Sequence, residues 1–203
     1  MTRPDEQAGT RDLQRAARAA LASWTAPDPA AERLRHHALA LLDEHPDATR
    51  RDRRPEHLTA SALLVEPRHE RTLLTLHPKV GRWLQLGGHC EADDSSLAAA
   101  ARREAVEESG IDRVQIDPVP LTLDRHTVRC GAGDAIHLDV QFLALAPAAA
   151  HERCSGESLA LAWFALDDLP DEVDLSVARL AELAHHRLLS RRSASDQQAA
   201  PTP

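Results

Sequence analysis

The chain has 203 residues, with 24 Lys and Arg against 32 Asp and Glu, a formal charge of −8. That length suits one domain of ordinary size with an appendage, and it can bury a substantial core. The acidic balance excludes a protein that coats nucleic acid or a membrane surface by bulk charge. An aromatic content of 2 % with no Tyr excludes extended base-stacking platforms. An acidic chain can still act on an anionic substrate when a metal ion bridges the two.

The N-terminal stretch MTRPDEQAGTRDLQ lacks the apolar run of a secretory signal. Residues 1–9 read as disordered. Leu13, Ala17, Leu21 and Trp24 then recur at helical spacing, which predicts a helix over residues 10–24. A turn follows at TAPDP, where Asp28 can cap and Pro29 suits the first helical position. The second helix carries Leu34, Ala38, Leu41 and Leu42 on one face and stops at His45-Pro46. Residues 1–50 are therefore expected to form an N-terminal helical extension. The charged stretch 51–56 reads as a solvated linker.

From residue 57 the texture changes to strands. Residues 57–65 and 72–76 are short apolar runs that read as a hairpin-like pair, and residues 83–86 are a third run before Gly87-Gly88. Residues 95–109 hold no Gly or Pro and stop at Gly110, which predicts a helix with a glycine stop. Strands are expected at 114–116, 121–128 and 134–146. In the last of these Ile136, Leu138, Val140 and Phe142 alternate with His137, Asp139 and Gln141. A strand at 159–164 and an amphipathic helix at 175–189, with Val177, Leu180, Ala184 and Leu188 inward, close the domain 57–189. The tail 190–203 is low in apolar residues and reads as disordered. Strands and helices mix without regular alternation, so the class is α/β with a mixed sheet. Three Cys (Cys90, Cys130 and Cys154) give no disulfide framework. No apolar stretch approaches the roughly 20 residues needed to span a bilayer. A cytoplasmic protein is expected.

The chemistry concentrates in residues 87–111, GGHCEADDSSLAAAARREAVEESGI. At about 100° per residue, Glu104 and Glu108 lie about 40° apart on the helix and Glu107 about 60° to the other side of Glu104. Ala98, Ala101 and Ala105 supply a small-residue flank for close packing on a sheet. Carboxylates that close repel one another unless a cation joins them. Arg102 and Arg103 are local cations, and a divalent metal is a more effective one. Hard oxygen donors suit Mg²⁺ or Mn²⁺. The competing reading is a solvated acidic helix face.

This segment resembles the Nudix box. Arg103, Glu104, Ala105, Glu107, Glu108, Gly110 and Ile111 match the second half of the family pattern. The first half departs: Asp94 stands where the pattern has Glu, and eight residues separate it from Arg103, one more than the pattern holds. A further resemblance is Glu157, six residues before Trp163, in the loop where many members place a ligand or base.

The resemblance implies an α/β/α sandwich of Nudix type with a mixed β-sheet, plus the N-terminal helical extension. It implies hydrolysis of a nucleoside diphosphate linked to another moiety, with Mg²⁺ or Mn²⁺ as cofactor. Glu104, Glu107, Glu108 and the Gly87 carbonyl would ligate the metal, Arg103 would orient a carboxylate, and Glu104 or Glu157 would act as base. His89, His137 and Asp139 are the substrate-binding candidates, with local loop or solvated roles as the plainer alternatives. Arg125 and His126 point oppositely, so at most one faces the site. His77 and Lys79 either meet an outer phosphate or lie on a solvated loop. Cys90 reads as a small buried filler. A zinc site from His151, Cys154 and Cys130 lacks ligands and spacing.

The partner is expected to be a small molecule, with no nucleic acid and no membrane. The N-terminal helices would cap the cleft or form a homodimer interface through Leu13, Leu21 and Trp24. Two other functions stay open: a Nudix-fold ligand-binding or regulatory domain without catalysis, and a diphosphate-ester isomerase, which needs an additional catalytic Cys and Glu.

Overall fold

A computed structural model describes residues 4–51, 55–68, 70–130, 133–154, 156 and 158–199. The linker centre at residues 52–54 and the predicted site residue Glu157 lie outside the described residues. The chain runs α1 (Pro4–Ser23), α2 (Pro29–Glu44), β1 (Glu56–Val65), β2 (Arg71–Leu76), β3 (Trp83–Leu84), β4 (Leu86–His89), α3 (Leu97–Ser109), β5 (Gln115–Ile116), β6 (Thr122–Cys130), β7 (Gly133–Leu145), β8 (Ala160–Ala165) and α4 (Leu175–Ala199).

All eight strands join one mixed sheet with the path β3-β2-β1-β7-β5. β1 and β7 run parallel in register from Glu56↔Ile136 to Val65↔Leu145. Both are buried on both faces, as a central parallel pair must be. On its other edge β1 is shared. β4 pairs with residues 59–62, and β2 pairs at Leu64 and Val65. The sheet splits between β4 and β2, and the cleft described below opens there.

Strand alternation sorts the core into two layers. Leu58, Ala60, Ala62 and Leu64 pack with Leu138, Val140 and Phe142 against α1, α2 and α3. Leu63, Val65 and Leu143 face the other way, onto Val177, Leu180, Ala184 and Leu188 of α4. This is the expected α/β/α sandwich. Among the described residues no helix is long and apolar enough to cross a membrane.

Two expectations at the termini change. Residues 4–9, expected to be disordered, are helical. A Cβ on Gly9 would lie 2.2 Å from the Ala92 carbonyl oxygen, so α1 seats its first turns against the turn after β4. At the other end, the helix expected to stop at 189 continues as α4 to Ala199. Ser190 and Ser193 bond back to the His186 and Leu189 carbonyls at 2.9 and 3.2 Å, and Arg192 reaches the Arg68 carbonyl at 2.8 Å. Once nucleated by its packed half, a helix propagates at little cost.

The extension is part of the core. Asp28 caps α2, accepting from the Ala30 and Ala31 amides at 2.7 and 2.9 Å, with Pro29 in the first turn. Leu13, Leu21 and Trp24 are buried within this chain's own core. They are not a surface for a second copy, which corrects the expectation that they would form a dimer interface.

Candidate active site

α3 positions the acidic cluster. Ser96 caps its start by accepting from the Ala99 amide at 3.1 Å, and Gly110 ends it in the left-handed region at φ 65°. Ala98, Ala101 and Ala105 are buried, so the helix lies close on the sheet. Glu104, Glu107 and Glu108 are left on the flank that lines a cleft of ≈ 1480 Å³.

Gly87 and Gly88 lie within strand β4, opposite Ser61 and Ala60, so the pairing extends past the run expected to end at residue 86. Side chains would not fit there. A Cβ on Gly87 would sit 2.3 Å from Ser61 Cβ, and one on Gly88 would sit 2.8 Å from the Glu104 carboxyl group. The Gly87 amide donates to Glu108 Oε2 at 3.1 Å. The glycine pair therefore lets two carboxylates lie directly on the backbone of β4.

Arg103 holds the cluster in place. Its Nε and Nη2 donate to the two oxygens of Asp94 at 3.1 and 3.0 Å. Nη1 donates to Glu104 and Glu107 at 2.9 and 3.1 Å, and Nη2 also reaches the His89 carbonyl at 2.9 Å. Burial disfavours its charge, but the bonds to Asp94 and Glu104 outweigh that and raise its pKa above the ordinary value. Asp94 is 8 % exposed and also accepts from the Glu91 amide at 2.8 Å. The acid in the divergent half of the box is thus the arginine's anchor. The extra residue between Asp94 and Arg103 does not break this pair.

The donor set fits a hard divalent cation such as Mg²⁺ or Mn²⁺. Carboxylate oxygens from neighbouring turns of one helix line the cleft, over a glycine whose Cβ would occupy the space of the Glu104 carboxylate. Arg103 bridges Glu104 and Glu107.

The opposite wall is polar. Asp139 is 3 % exposed and lines the cleft. It accepts from Thr59 Oγ1 at 3.0 Å, Ser61 Oγ at 2.5 Å, Gln85 Nε2 at 3.3 Å and Gln141 Nε2 at 3.2 Å. So many internal donors make it an organiser of the cleft floor. His89 and His137 also line the cleft. Burial, with His57 and Arg51 nearby, holds His89 down to about 4. Burial, with His89, His57 and His126 nearby, holds His137 down to about 3. Both rings are neutral at pH 7.

His126 faces the cleft with its Nδ1 on Asp124 at 2.6 Å, while Arg125 turns away to Glu56 at 2.7 Å. Burial opposes the charged form of His126, but Asp124 and Asp139 raise its pKa overall. His77 and Lys79 also line the cleft. Cys90 is buried, and burial pushes its thiol well above the ordinary range, so it is a filler and not a nucleophile. On the loop before β8, the Trp163 indole donates to Glu152 Oε2 at 2.9 Å.

Sequence reading missed two groups. Glu6, Thr10, Arg50 and Arg51 line the cleft beside Leu13, and the sequence singled out none of the four. His57 stands beside His89 and His137, with ring centroids 5.2 and 4.8 Å away. Its signal was the polar alternation His57, Thr59, Ser61 along β1.

Residues 55–184 match the family described as NUDIX domain. No curated protein matches the chain. Among solved structures, a NUDIX-family hydrolase from Clostridium perfringens is 25 % identical, covering 65 % of this chain and 97 % of that one, with a TM-score of 0.52. The MutT protein of Methanosarcina mazei Go1 is 18 % identical over 64 % of this chain and 93 % of its own, with a TM-score of 0.51. A C. elegans Ap4A hydrolase is 17 % identical over 66 % of this chain and 98 % of its own, with a TM-score of 0.52. At those identities the last two show the fold alone.

Proposed function

The chain belongs to the Nudix family, and from that premise we propose that it is a metal-dependent pyrophosphohydrolase acting on a small nucleoside diphosphate linked to a further group. The observation that carries this reading is the set of carboxylates Glu104, Glu107 and Glu108, the first two held by Arg103 and the third by the Gly87 amide, over a side-chain-free stretch of β4 in an open cleft.

Glu104, Glu107 and Glu108 would hold Mg²⁺ or Mn²⁺, with the Gly87 carbonyl as a further donor. An ion held there would supply neutralisation of the diphosphate and a lowered pKa for a bound water. The chain's own groups supply the rest. Glu104 and Glu157 are the candidates to take the proton of the attacking water. Arg103 directs its donors to protein acceptors, so it positions Glu104 and Glu107 and leaves substrate to other groups. Arg50, Arg51 and Lys79 line the cleft as cations and can meet outer phosphate oxygens, which tempers the repulsion expected from a chain of charge −8. His89 and His137 line the part of the cleft open to the group beyond the diphosphate, over the floor that Asp139 organises.

The test is a substrate panel. ADP-ribose, a dinucleoside polyphosphate, a nucleotide sugar and a coenzyme A ester are incubated with the chain and Mg²⁺ or Mn²⁺, and phosphate is measured after phosphatase coupling. Turnover of at least one compound is expected. Binding without turnover across the panel would replace this reading with a ligand-binding or regulatory domain.

A further inference from the structure

Strand register places imidazoles in a row across four neighbouring strands. His126 on β6 pairs with His137 on β7, and His137 pairs with His57 on β1. His89 on β4 pairs with Thr59, the next residue along the same face of β1. The backbone positions are fixed by ladder hydrogen bonds, so the side chains converge without any loop having to close. One ring nitrogen from each of His57, His89 and His137 lies within 4.8 Å of the others, the one such group of three ligand-type side chains among the described residues.

We propose that His57, His89 and His137 bind one borderline divalent transition-metal ion, of the Zn²⁺ class, at a site distinct from the carboxylate face of α3. Imidazole nitrogen selects Zn²⁺ and its neighbours, whereas Mg²⁺ prefers carboxylate and water oxygen. Three histidines with one open position is a known coordination for Zn²⁺. A Zn–N bond of about 2.0–2.1 Å in tetrahedral geometry sets the nitrogens about 3.4 Å apart. The three nitrogens already lie within 4.8 Å, and side-chain rotation would have to bring them the rest of the way. The Nε2 atom of His137 is buried and has no hydrogen-bond partner among the described residues. Such an atom carries a desolvation cost that a metal bond would remove. His89 and His137 both line the cleft, so an ion held between them would be reachable from it. His126 is held by Asp124 and is not assigned as a ligand. The site does not depend on the hydrolase reading.

The experiment uses the full-length, untagged chain stripped with chelator. Co²⁺ is titrated in excess Mg²⁺, so that the carboxylates are occupied, and the ligand-field bands of four-coordinate Co²⁺ are followed, with Zn²⁺ as competitor. One equivalent is expected to bind, displaceable by Zn²⁺. H57Q and H137Q should weaken binding at least tenfold, and Glu108→Gln should leave it unchanged. Long-range ¹H–¹⁵N spectra of the wild-type chain provide a readout that needs no variant: three imidazoles should shift on Zn²⁺ addition. Absence of a four-coordinate Co²⁺ spectrum in the wild-type chain would overturn the proposal. So would binding that persists unchanged in both histidine variants, or that disappears only in Glu108→Gln.

Discussion

Replacing Arg103 by Met removes the cation that holds the acidic cluster while keeping the length of the side chain. The Asp94 side chain is 6 % exposed and would keep only the Glu91 amide of its present donors. An ion pair on the surface is worth about 0–1 kcal/mol, but leaving a buried charge without its partner costs about 3–5 kcal/mol. Arg103 itself is 22 % exposed, so water softens the loss and the lower end, about 3 kcal/mol, is expected. Urea unfolding at pH 7 measures it. The double variant Asp94→Asn, Arg103→Met removes both charges and should recover part of the loss, a coupling of about 2 kcal/mol. A cost below about 1 kcal/mol for Arg103→Met, or strictly additive single and double variants, would refute the view that Arg103 and Asp94 act as a buried pair.

Gly88→Ala would push a methyl group into the Glu104 carboxylate, 2.8 Å away. Displacing that group by about 1 Å should lower kcat on the order of 10²-fold while thermal melting moves little, and an unchanged kcat would contradict the placement. Leu21→Ala empties a fully buried position in the core shared by the extension and the sheet. It should cost roughly 2–5 kcal/mol in denaturant unfolding, whereas a loosely attached appendage would show almost none. In the chelated chain, stability should fall on acidification from pH 6.5. The folded state keeps His89 and His137 neutral down to about 4 and about 3, while the unfolded chain takes up protons first. Each contributes a slope of up to about 1.4 kcal/mol per pH unit in that window, and H137Q should flatten the profile.

Local patterns made much of the site legible. The helical arc of Glu104, Glu107 and Glu108, the cap at Asp28 and the stop at Gly110 follow from spacing and residue type alone, and the structure shows the helices there. The alternation in β7 correctly separated Phe142 and Val140 from His137 and Asp139. What stayed hidden was non-local. The run was expected to end at residue 86 because two glycines weaken a strand in isolation, yet pairing with β1 carries the ladder through Gly87-Gly88. The alternation of His57, Thr59 and Ser61 marked a polar face of β1, but the neighbours of His57 come from β4 and β7, and periodicity within one strand does not reveal register with another. Asp94 read as a weakened acidic position until its contact with Arg103 was visible. Residues 4–9 lack a strong apolar pattern and gain their order from contact with the turn at Ala92.

The most direct test of the central claim compares kcat/KM of the wild-type chain and Glu108→Gln on the best panel substrate, with Mg²⁺ and after exhaustive EDTA treatment. Turnover that needs the metal and drops by on the order of 10²-fold or more in the variant, a loss of about 2.7 kcal/mol of transition-state stabilisation, is the predicted result. Turnover that survives chelation, or that is equal in Glu108→Gln, would contradict the assignment of the α3 carboxylates as the catalytic metal site.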